Sequence, residues 1–108
     1  MLEESTNPAN NAEIENINVA ADLLRRVLSE LQILEVHNAR LHFAMCNTEH
    51  AIRQRLDMLS GITESLKAAQ APLRACELIQ RAKTLIVQLS GELEQLALKA
   101  DHDFEWIT

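Results

Sequence analysis

From Ile17 to Met45 the residues Ile17, Ala20, Leu24, Val27, Leu31, Leu34, Asn38, Leu41 and Met45 follow one another at alternating steps of three and four. That spacing draws one stripe along an α-helix and cannot serve a strand, whose faces alternate with a period of two. Sustained over several repeats, it is the pattern of a helical seam that packs against other helices. Leu23, Leu28 and Ile33 widen the stripe beyond a two-stranded seam, so the helix should touch more than one neighbour. Asn38 is the polar member of the frame, where a buried amide costs stability but can fix register and oligomeric state.

The pattern returns near the C-terminus as Ala75, Ile79, Ala82, Ile86, Leu89, Leu93, Leu96 and Ala100, flanked by Leu78, Leu85 and Leu98. Between the two stretches, Gln70-Ala71-Pro72 marks a hairpin turn, because proline lacks the N–H that a helix interior needs but suits a first turn. Steps of seven also carry the first frame past Met45 to Ile52, Leu59 and Leu66, although the interleaved positions decay to Thr48 and Arg55. Two architectures fit. In one, Asn47 or Thr48 caps a second helix, giving three helices over about 14–45, 48–69 and 72–100. In the other, one helix runs unbroken over about 14–69, more than ~80 Å at ~1.5 Å per residue, and requires a dimer to cover it. The expected fold class is all-α: an antiparallel helical bundle or long helical hairpin of two or three long helices, completed by dimerisation.

Two glycines, two prolines and no tyrosine in 108 residues agree with helices, and the length allows one domain. Residues 1–12 hold too little apolar surface to offset the entropy of ordering, and are expected to be a disordered acidic tail before a helical domain at 13–100. Helix-start signals lie at Asn11, Asn16 and Asn18, any of which could be an N-cap. Residues 101–108 form an acidic, aromatic C-terminal tail. The net charge of −6 resides in the ends: residues 1–16 carry −4, residues 101–108 carry −3, and the body between carries +1. A nearly neutral body offers no basic footprint to phosphate backbones, so nucleic acid is not an expected partner. No apolar run reaches the ~20 residues that span a bilayer, the first residues are acidic where a signal peptide is basic, and the chain is expected in the cytoplasm, off the membrane. Cys46 and Cys76, set among apolar neighbours, read as reduced, buried thiols.

Some clusters bear on chemistry. His42, Cys46 and His50 lie four apart and share a helix face, and imidazole with thiolate suits zinc. One ion cannot take all three, because His42 and His50 are ~12 Å apart along the axis. No metal and no cofactor is therefore expected, with a metal-responsive bundle as an alternative. His37-Asn38-Ala39-Arg40 and His50-Ala51-Ile52-Arg53 resemble histidine phosphotransfer domains, helical bundles with an exposed histidine followed by a basic and a small residue. The resemblance implies a phosphorelay carrier, but Leu41, His42 and Phe43 put bulk where a small residue would admit a partner. Leu59-Ser60-Gly61 recurs as Leu89-Ser90-Gly91, where glycine permits close approach of another backbone or a kink. Phe104, Trp106 and Ile107, alternating with acids, form a candidate docking segment that anchors by aromatic burial. Nothing supplies a phosphate loop or a nucleophile with an adjacent base, so no enzyme is expected. The expected function is a protein–protein interaction module, an adaptor, chaperone or antiactivator, that contacts itself as a homodimer and another protein. Its interface is expected at Leu24, Val27, Leu31, Leu34, Asn38, Leu41, Ile86, Leu89, Leu93 and Leu96.

Overall fold

A computed structural model describes residues 8–107, with side chains from 10 to 99. Three helices follow one another, α1 (Pro8–Glu35), α2 (Ala39–Ala68) and α3 (Pro72–Ile107), with no strand among the described residues. Each packs against the other two. Together they make a rod of 63 × 17 × 17 Å, the all-α bundle that the periodicity predicts.

The chain reverses between Ala68 and Pro72, where the proline marks the turn, but its other reversal is at 36–38 and not before Asn47 or Thr48, both of which lie inside α2. Asn38 ends the turn in an extended conformation (φ −141°, ψ 101°), and its Oδ1 accepts from the Leu41 N–H at 2.9 Å, capping α2. Its role is therefore that of a helix cap, not of a seam residue buried against a second helix. Thr48, one of the expected caps, lies inside α2 and donates its hydroxyl back to the Ala44 carbonyl at 3.0 Å, an option open to threonine within a helix. The step of seven passed through the turn because Leu31, Asn38 and Met45 keep phase across it. Replacing Asn38 by alanine should cost about 1 kcal/mol in urea unfolding, as loss of an N-cap does, while Thr48→Ala should change little. The opposite ranking would return the boundary to Thr48.

Both ends of the bundle extend further than the sequence suggested. α1 starts at Pro8, and Asn10 is buried, with its Nδ2 donating to the Ala69 carbonyl at 3.4 Å. Helix therefore covers 8–12, and Asn11, Asn16 and Asn18 are interior to α1 rather than caps; residues 1–7 lie outside the described residues. α3 runs on through Ile107 instead of stopping near Ala100, so the backbone of the expected tail is helical. The side chains of Phe104, Trp106 and Ile107 lie outside the described residues.

Inside, the seven-residue frame holds: Ile17, Leu24, Leu31, Met45, Ile52, Leu59 and Leu66 are all buried. The interleaved positions hold at Leu41 and Leu93 but not throughout. Ile14, Ala21 and Leu28 are buried, whereas Val27 and Leu34 are 40% and 51% exposed. In α3, likewise, Leu78 and Leu85 are buried and Ile79 and Ile86 only half-buried. Each shared position has an apolar residue on both flanks, and alternation alone cannot choose between them. The two glycines make no close approach, since a Cβ added at Gly61 or Gly91 would meet nothing within 4 Å. Cys46 and Cys76 are both exposed, a correction to the buried thiols that their apolar neighbours suggested.

Candidate functional site: an apolar groove and a polar hollow

The residues that reach between helices fix how α1 is turned. Arg25 donates through Nη2 to the Leu56 carbonyl at 3.3 Å and to Ser60 Oγ at 3.1 Å, and Gln32 Nε2 donates to Glu49 Oε2 at 2.7 Å. Both lie on one flank of the buried stripe of α1, so that flank meets α2. At ~100° per residue Leu23, Val27 and Leu34 fall on the opposite flank, toward α3. On α3, Glu92 pairs with Arg55 of α2, and the half-buried Ile79, Ile86 and Ala97 lie on the other flank, toward α1. The α1–α3 groove is thus apolar on both walls. Leu23 is 54% exposed there, beside Val27 and Leu34.

Six of the exposed large apolar residues belong to α1 and the turn after it: Val19, Leu23, Val27, Ile33, Leu34 and Val36. Among the described residues α1 and its turn thus carry more exposed large apolar side chains than either other helix. Of the expected interface residues, Leu24, Leu31, Leu41, Leu89, Leu93 and Leu96 lie in the chain's own core, and Asn38 caps α2. Val27, Leu34 and half-buried Ile86 are the ones left on the groove.

The second feature is a hollow of about 760 Å³ at the α1–α2 junction, with Gln32, Glu35, His37, His42, Cys46 and Glu49 among its lining. His42 Nδ1 lies 2.8 Å from Glu35 Oε2, and His42 Nε2 lies 3.5 Å from Cys46 Sγ. His50 is exposed on α2 and takes no part. Among the described residues no group of three His, Cys, Asp or Glu side chains is arranged to hold a metal ion. His37 is in the turn and not on a helix, unlike the histidine of a phosphotransfer domain. Sequence reasoning missed Glu35, whose pairing with His42 depends on the turn at 36–38 that returns the chain upon itself.

Glu49 receives three hydrogen bonds on Oε2, from Gln32 and from Arg53 Nε (3.0 Å) and Nη2 (2.8 Å). The Arg53 bonds hold its carboxyl below the usual carboxylate range, with Gln32 and the Arg53 charge adding and partial burial opposing. A depressed folded-state pKa contributes stability that is present above the unfolded-state value and lost as pH falls through the folded one. Glu49→Gln should therefore lower stability at neutral pH by about 0.5–1 kcal/mol, as expected for a partly exposed pair and one further hydrogen bond. Below the folded pKa the gap should close in pH-dependent urea unfolding; a gap constant with pH would remove the electrostatic account.

No helix among the described residues is long and apolar enough to cross a membrane. Compared with protein families, with characterised proteins and with solved structures, the chain finds no match.

Proposed function

We propose that this chain is a protein-interaction module that works by helix–helix contact, and that the α1–α3 groove seats α1 of a second copy to form a homodimer. The observation carrying the proposal is the exposure of Leu23, Val27 and Leu34 along the flank of α1 facing that groove. Apolar side chains repeated along one helix flank bury most area when another helix lies along them. Over residues 17–100, which include the groove, nine acids nearly balance ten bases, so the stretch that would meet a second copy carries little net charge to oppose it. A groove that seats its own helix can give the seat to another protein's amphipathic helix. An adaptor, chaperone or antiactivator masks a partner's interface in this way. Two unlinked thiols suit the reducing cytoplasm as its place of work. Light scattering over a range of concentrations should give twice the mass of one chain, falling toward the single-chain mass on dilution. A single-chain mass throughout would refute the homodimer.

A further inference from the structure

We propose that Cys46 is a reactive thiol, with His42 as its base and Glu35 as the group that positions that base, and that its substrates are small-molecule disulfides. Glu35 Oε2 can only accept, so its 2.8 Å contact places the imidazole proton on Nδ1. In the neutral imidazole Nε2 then keeps its lone pair, and the atom before it is Cys46 Sγ, 3.5 Å away. Nε2 is thus placed to take the thiol hydrogen. A nucleophile in reach of a base, with the base held by a third group, is the arrangement that activates thiols.

Access and support are also present. Cys46 is exposed, His42 is 62% exposed, and Glu35 is 16% exposed and so held. The hollow beside them gives a small molecule room to approach along the sulfur. Turn and cap set the geometry: Glu35 ends α1, Asn38 starts α2, and the His42 N–H donates to the Asn38 carbonyl at 2.9 Å. Cys76 is the internal contrast, being exposed on α3 with no hydrogen-bonding partner among the described residues.

In the exchange, the Cys46 proton passes to His42 Nε2 as Sγ bonds to one sulfur of the disulfide. The bond between the two substrate sulfurs breaks, and the departing sulfur takes the proton back from Nε2. Cys46 ends oxidised in a mixed disulfide, and half of the small molecule leaves reduced as a thiol. The site lies on the α1–α2 side of the bundle, away from the α1–α3 groove, so the inference does not rest on the dimer.

The test uses the full chain in two single-thiol forms, Cys76→Ser and Cys46→Ser, with 2,2′-dithiodipyridine at neutral pH and release of thiopyridone as the readout. The Cys46 thiol should react on the order of tenfold to a hundredfold faster than Cys76. Adding His42→Gln, or His42→Asn should the first disturb the circular dichroism, should bring Cys46 down to the rate of Cys76. Glu35→Ala should slow it, while Glu35→Gln, whose amide oxygen still accepts from Nδ1, should restore most of the rate. Equal rates for the two thiols, or an unchanged Cys46 rate without His42, would overturn the proposal. An unchanged rate in Glu35→Ala would overturn the positioning role.

Discussion

Leu59→Ala should cost about 2–5 kcal/mol, and Leu89→Ala a similar amount, because each removes a fully buried side chain from a core that can only partly close the gap. A domain of this size is stable by about 5–15 kcal/mol in total, so either change consumes a large share. At ~4–8 °C per kcal/mol the melting temperature falls well outside experimental scatter. Phe43→Ala supplies the contrast: the larger side chain is 72% exposed, and its loss should stay within about 0.5 kcal/mol. If Phe43 proved the costlier deletion, α2 would be turned wrongly against its neighbours. The two leucines head the Leu-Ser-Gly echo, so the echo marks equivalent core positions on two helices, and its glycines lie in open space.

Leu23→Glu combined with Val27→Glu should abolish the dimer and leave the helices intact. Both side chains are largely exposed in the single chain and neither belongs to the buried core, so a carboxylate there can reach water. In the dimer the same positions are covered twice, once per copy, and each side chain, with about half of its surface still to bury, contributes about 1 kcal/mol. With ~1.4 kcal/mol per power of ten, weakening by several orders of magnitude follows before the cost of burying glutamate is added. Circular dichroism should be unchanged, and the melting temperature should lose any dependence on protein concentration. Loss of helicity would mean instead that this flank belongs to the core.

Much of the fold was legible because helical periodicity is a direct consequence of burying one face. Ile17, Leu24 and Leu31, followed at the same phase by Met45, Ile52, Leu59 and Leu66, are interior in both readings. Periodicity says which face is inside, not where the chain reverses, and the turn at 36–38 was hidden by a frame that kept its phase across it. Capping chemistry could not find it either, since Asn47 offers the same side chain as Asn38 and only the packing decides which of the two starts a helix. The choice between Val27 and Leu28 was not legible, because both flanks of the stripe are apolar and only the placement of α2 and α3 decides between them. That ambiguity bears on the function proposed. The flank left outside by the chain's own packing is the one that is free to meet another helix.

The groove is tested most directly by dipolar distances between copies, measured by electron resonance on chains with Cys46 and Cys76 replaced by serine. A single spin label is placed at residue 30, on the rim of the α1 flank, or at residue 57, on the α1–α2 side of the bundle away from the groove; Glu30 and Asp57 are both exposed. The account predicts a dipolar signal with a clearly shorter distance between labels at 30 than between labels at 57. No inter-copy signal at either position, or the shorter distance at 57, would contradict it.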